Sequence, residues 1–230
     1  MSYGTLAFDI DGVLIDTRPS YQRIVKELSG ADDEDIAWFK ANGGFNDDWE
    51  LARALKVWLA AGRPPLINVQ GVMDVVALAP EHDPGDLAPQ ADALYREYWT
   101  EEKPLVDSGL LHMLVAEFDV VAVTGRRTWE FERAQELLDF RFPRFTHADI
   151  VRKPDPEALL RLLDPGTPFC LVLGDTQDDR LLARQTRLYT RVPILYHHVE
   201  PGRSPQDLLE LLHREPEHAQ EHAQRHSEPG

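Results

Sequence analysis

Asp9 and Asp11 are the residues of this chain whose type and spacing point most directly to chemistry. They follow the apolar run Leu6-Ala7-Phe8 and precede Gly12. The run reads as a short buried strand, and the glycine allows a sharp turn at its carboxyl end. Residues two apart on an extended chain share a face. At about 4 Å, two carboxylates there repel by about 4 kcal/mol at an effective dielectric of 20. Such a pair calls for a cation, a proton or a transient covalent role. One aspartate attacking while the other manages protons is a workable plan for phosphoryl transfer.

Three further stretches carry groups of matching chemistry. Thr124-Gly125 follows the apolar segment Asp119–Val123, Lys153 precedes Pro154-Asp155-Pro156, and Gly174-Asp175-Thr176-Gln177-Asp178-Asp179 follows Phe169–Leu173. Asp179 lies four residues after Asp175, about one helical turn, so both can face one ion. Thr124 and the Gly125 amide sit where a strand gives way to a helix, a place where unpaired N–H groups accept anions. Arg126 and Arg127 are candidates for contact with an anionic substrate; a surface helix start is the alternative.

These groups need a scaffold. Short apolar strands alternating with helices from about residue 109 onward predict βαβ units and a parallel sheet. Helices are expected over Gly109–Glu117, Thr128–Leu138, Pro156–Leu163 and Asp178–Arg187. Between the first strand and the rest stands a mostly helical stretch. Pro19 opens a helix that Gly30 ends; Asp32 caps a second; a third runs from Asp47 to Ala60. A helix is predicted over Ile67–Leu78, a loop over Ala79–Pro89 and a helix over Ala91–Trp99.

Composition sets further bounds. The 230 residues carry a net charge of −16, and 43% of them are hydrophobic. That apolar content supports a packed core. The negative charge argues against nucleic-acid or anionic-membrane partners, and obliges any phosphate site to bring its own positive charge. Cys170, the single cysteine, reads as a buried structural thiol. No apolar run approaches the ~18 residues that span a bilayer, and the N-terminus shows no signal-peptide pattern, so the expectation is a cytoplasmic protein. The segment 215–230 reads as a solvated tail; His218, His222 and His226 would form a metal-binding stripe if it were helical.

In order and spacing, Asp9/Asp11, Thr124-Gly125, Lys153 and Gly174-Asp175…Asp179 resemble the four motifs of the haloacid dehalogenase (HAD) superfamily. The opening Phe8-Asp9-Ile10-Asp11-Gly12-Val13-Leu14-Ile15-Asp16-Thr17 is similar to the subfamily with a helical cap between the first two motifs. The resemblance implies an α/β fold, a three-layer Rossmann-like core of residues 1–17 and 105–214, with a helical cap at 18–104. It implies Asp9 as nucleophile and Asp11 as acid and base, with Thr124, Gly125 and Lys153 on the phosphoryl group. It implies Mg²⁺ held by Asp9, the Asp11 carbonyl and Asp175, with Asp179 facing the same ion.

The function so implied is a Mg²⁺-dependent phosphatase acting on a small phosphorylated metabolite. Within the cap, Gly43-Gly44-Phe45-Asn46-Asp47 is the unusual stretch, and Asn46 and Asp47 are expected either to contact substrate or to cap a helix. Histidinol-phosphate-like and phosphoglycolate-like substrates both fit. A phosphomutase remains open, as does a phosphonate hydrolase using Lys26, Lys40 or Lys56. A hydrolytic dehalogenase would need neither Asp11 nor Asp175, and a silent binding protein would need none of the set. The oligomeric state, monomer or homodimer, is left open by the sequence.

Overall fold

The structure is a computed structural model that describes residues 4–42, 45, 47–66 and 71–200. Its chain divides into two compact units, Met1–Asp16 with Lys103–Gly230, and Thr17–Glu102.

The first unit opens with strand β1, Thr5–Phe8, buried along its whole length. After the turn at Gly12 comes the short β2, Ile15–Asp16. The chain then enters the second unit. A π-helical segment Arg18–Gln22 continues into α1, Arg23–Ser29, which stops at Gly30 in the left-handed region (φ 79°). Helix α2, Asp33–Asn42, starts where the Asp32 carboxylate accepts the Asp35 N–H at 2.9 Å. This is the expected side-chain cap on an otherwise unpaired N–H. Helix α3, Asp48–Ala60, buries Leu51, Ala52, Ala54, Leu55 and Val57, the inward stripe of an amphipathic helix. Helices α4, Val72–Val76, and α5, Ala88–Tyr98, complete the unit. Between them Asp83 takes a two-pronged bond from Arg53 of α3 (2.7 and 2.6 Å). That bond, aided by the Gly85 N–H, holds the Asp83 carboxyl down at about 2.

Back in the first unit, β3, Lys103–Pro104, pairs antiparallel with β2. The chain then alternates: α6 Ser108–Glu117, β4 Asp119–Val123, α7 Thr128–Leu137, β5 Arg144–Thr146, α8 Glu157–Leu160, β6 Cys170–Gly174, α9 Gln177–Thr186 and β7 Ile194–His198. Five strands form one parallel sheet in the order β5-β4-β1-β6-β7. The two-residue side-chain period divides the core. Leu6, Phe8, Val120, Ala122, Leu171 and Leu173 pack with Leu110, Leu111 and Leu114 of α6 and Phe131 and Ala134 of α7. Ala7, Val121, Val123, Cys170 and Val172 pack with Ala158 and Leu159 of α8 and Leu182 and Ala183 of α9. A parallel sheet covered on both faces has near-continuous apolar strands, which is why these segments stand out in the sequence. Cys170 is fully buried, and burial pushes its thiol far above the usual range, as befits a packing residue.

Several boundaries differ from the sequence reading. Strand β6 begins at Cys170 rather than Phe169 and takes in Gly174. The helix expected over 156–163 is regular only at Glu157–Leu160. The loop expected over 79–89 contains a 3₁₀ turn, Pro80–His82, and yields to α5 at Ala88, with Pro89 inside the helix's first turn. Of the helix expected over 67–78, Val72–Val76 is helical, and residues 67–70 lie outside the described residues, as does the tail 215–230. No helix among the described residues is long and apolar enough to cross a membrane.

Candidate active site

The register of the sheet gathers the four stretches. Phe8 is level with Ala122 of β4 and with Leu173 of β6, so Asp9, Thr124 and Asp175 all emerge at the carboxyl ends of three adjacent strands. The crevice at that end is where open α/β sheets present ligand-binding groups. Asp9 is fixed by its own backbone: its N–H donates to the Leu173 carbonyl at 2.9 Å, and its Oδ1 accepts the Ile10 N–H at 2.7 Å.

Lys153 meets this carboxylate from the segment before α8. Its Nζ lies 2.9 Å from Asp9 Oδ2 and 2.7 Å from Asp179 Oδ1, with only 8% of the side chain exposed. Burial alone would pull the ammonium's pKa down, but Asp179 and Asp9 outweigh it and the group is held firmly charged. Asp179 is locked in turn. Its Oδ2 accepts from the Thr176 N–H (3.1 Å) and hydroxyl (2.5 Å), while the Asp179 N–H donates back to Thr176 Oγ1 (3.3 Å). This reciprocal pair opens α9 and aims the aspartate inward.

Asp9, Asp175 and Asp179 each offer a carboxylate oxygen within 4.8 Å of the others. Burial, then the charge of Asp179, pushes Asp9 well above the usual carboxylate range, with Lys153 pulling the other way. The same two causes push Asp175 up to about 6. Asp175 Oδ1 is buried and has no hydrogen-bond partner. Three converging carboxylates against one ammonium, with an orphaned oxygen among them, offer the kind of oxygen donors that a hard divalent cation takes.

Gly12 makes the cluster possible. It adopts φ 74°, and a Cβ placed on it would lie 2.0 Å from Asp175 Oδ2. Gly12→Ala is therefore expected to displace the Asp175 carboxylate and strain the turn. Calorimetric titration with Mg²⁺ should show affinity weakened at least about tenfold. Unchanged affinity would contradict the packing described.

Thr124 is buried, with its N–H on the Thr146 carbonyl (3.0 Å) and its Oγ1 accepting the Arg126 N–H (3.2 Å). Gly125 beside it is exposed, and a Cβ there would meet nothing within 4 Å, so the turn leaves room for a ligand.

The expected substrate contact of Arg126 needs correction. Its guanidinium is wholly buried and faces inward: Nε and Nη2 both donate to Asp11 Oδ1, at 2.8 and 2.7 Å. Asp11 is thus turned to an arginine, and its carboxylate is not part of the three-carboxylate cluster. Asp47 occupies the N-cap position of α3 in the second unit, half-buried, with its carbonyl accepting the Leu51 N–H at 3.0 Å; the cap is made by the main chain and not by the carboxylate. Asn46 lies outside the described residues.

Tyr196 of β7 is not legible as a site residue in the sequence, because its strand carries two histidines and lacks a continuous apolar run. Its Oη lies 3.2 Å from the Gly174 carbonyl oxygen and 3.4 Å from that of Thr176, bracing the loop that carries Asp175. Burial, followed by the charges of Asp179 and Asp175, raises this phenol to about 12, so it remains a donor.

No family model and no curated protein sequence matches the chain. Solved structures do. A phosphatase from Thermococcus thioreducens superposes with a TM-score of 0.72 at 26% identity, over 93% of this chain and 99% of that one. A HAD-superfamily hydrolase of subfamily IA from Geobacter sulfurreducens gives 0.50 at 22%, over 91% and 96%. A haloacid dehalogenase-like hydrolase from Streptococcus pneumoniae gives 0.52 at 18%, over 90% of each chain. The last two bear on the fold alone.

Proposed function

We infer that the chain is a phosphatase of the haloacid dehalogenase type, which hydrolyses a small phosphate monoester through Asp9. One observation carries this reading: a single buried ammonium, Lys153, bridges Asp9 and Asp179 beside the orphaned oxygen of Asp175.

Each residue has a part. Asp9 attacks phosphorus in line and forms an aspartyl-phosphate while the ester P–O bond breaks. Asp11 gives a proton to the departing oxygen. Water then attacks phosphorus, Asp11 takes its proton, and inorganic phosphate leaves with Asp9 restored. Lys153, Thr124 and the Gly125 amide bind the phosphoryl oxygens, supplying local attraction in a chain of net charge −16. Mg²⁺, held by Asp9, Asp175 and the Asp11 carbonyl with Asp179 behind, would neutralise charge on the phosphoryl oxygens. Residues Thr17–Glu102 serve as the cap that selects the substrate, with Asn46 and Asp47 as its candidate contacts. No observation favours imine chemistry at the second unit's lysines: Lys26 and Lys40 are in ion pairs with Asp33 and Asp48, and Lys56 is solvent-exposed.

Phosphate release from a panel of phosphorylated metabolites and aryl phosphates, with Mg²⁺ or with EDTA, tests the proposal. Turnover should require the metal. At about 100 times its Kd, Mg²⁺ should also add about 2.7 kcal/mol of stability. For a chain of this size that raises Tm by about 5–10 °C. Turnover undiminished in EDTA, or no activity on any ester with Mg²⁺, refutes it.

A further inference from the structure

We propose that Arg126 is a positioning residue for Asp11: it pins one carboxylate oxygen so that the other is presented to the leaving group. The inference rests on the phosphatase reading and extends it to a residue with no access to substrate.

The grip is one-sided. Nε and Nη2 converge on the same atom, Asp11 Oδ1, at 2.8 and 2.7 Å, so the arginine does not take up Oδ2. Asp11 keeps 30% of its side chain exposed, whereas Arg126 has 0%. The arginine is anchored by its main chain and by a third guanidinium nitrogen. Its N–H donates to Thr124 Oγ1 (3.2 Å), its carbonyl accepts the Ala148 N–H (2.9 Å), and Nη1 donates to the Glu130 carbonyl (3.3 Å). Glu130 is fastened in turn, accepting the Arg127 N–H at 2.8 Å. A guanidinium so anchored cannot swing out to bind an anion. It can hold Asp11 in one rotamer against the turn that also carries Thr124, coupling the proton donor to the phosphoryl-binding loop. Lysine cannot reproduce this, because the two donors that meet on one oxygen are set by the planar guanidinium.

Positioning matters only where a proton must be delivered. As the P–O bond breaks, a poor leaving oxygen needs the Asp11 proton, whereas a strongly stabilised phenolate departs without it. Misplacing a catalytic group by about 1 Å costs on the order of 10²-fold. The experiment is therefore kcat/KM for phenyl phosphate and for 2,4-dinitrophenyl phosphate, with Mg²⁺, in wild type, Arg126→Gln and Arg126→Lys. For both variants phenyl phosphate should lose about 10²-fold, and the dinitrophenyl ester should stay within about threefold of wild type. The ratio of the two esters is unaffected by a fraction of unfolded enzyme. Arg126→Lys, which keeps the buried charge, supplies the measurement if Arg126→Gln does not fold. Equal losses on both esters, or no loss on either, would overturn the positioning role while leaving the phosphatase reading intact. A wild-type protein inactive on both esters and on every phosphorylated metabolite of the panel would overturn that reading, and the arginine's role with it.

Discussion

Asp9→Asn is expected to lower turnover by at least about 10⁴-fold and to leave the protein folded. A carboxamide fills the same space and its oxygen can still accept the Ile10 N–H, which now lies 2.7 Å from Asp9 Oδ1. It is a very weak nucleophile toward phosphorus. The fold should tolerate the change, since burial and the charge of Asp179 already oppose a charge at this position. In EDTA the variant should melt at or above the wild-type temperature. Phosphate-release assays and thermal melts on the same preparation check both halves. Wild-type turnover in Asp9→Asn, or a collapse of its Tm, would contradict the role assigned to the residue.

Lys153→Met is expected to act on stability and chemistry together. The ammonium is the close positive partner of both Asp9 and Asp179, at 2.9 and 2.7 Å, and is almost wholly buried. Removing one member of a buried charged group leaves the others uncompensated, at a cost of about 3–5 kcal/mol. At this chain length that lowers Tm by about 10 °C in EDTA. Mg²⁺ should recover much of the melting temperature, because a dication can balance the same carboxylates. Activity should remain reduced by on the order of 10²-fold or more even with the metal, since the phosphoryl group has lost a fixed cationic donor. Equal melting temperatures for variant and wild type in EDTA would contradict the charge balance described.

What could be read in the sequence follows from how each element earns its place. β1, β4 and β6 are buried on both faces, so they appear as apolar runs, and the groups at their ends, Asp9, Thr124 and Asp175, could be located from those runs. β5 and β7 could not. β5 is three residues long with Arg144 and an exposed Phe145, and β7 runs Ile-Leu-Tyr-His-His, so neither carries the continuous apolar pattern. Lys153 lies in no regular element, and only its place in the series of motifs singled it out. Arg126 was legible as a charge but not in its direction. Its partner Asp11 stands 115 positions away, and the register of β1 beside β4 is what brings them together. Tyr196 was hidden for the same reason as its strand.

The most direct measurement is to quench the enzyme with acid during turnover of an aryl phosphate with Mg²⁺, reduce it with borohydride, and map the peptides by mass spectrometry. An acyl phosphate is reduced to the alcohol, so homoserine should appear at position 9, and not in enzyme quenched without substrate. Homoserine at Asp11, Asp175 or Asp179 instead, or at no position in an enzyme that is plainly turning over, would contradict Asp9 as the residue that accepts the phosphoryl group.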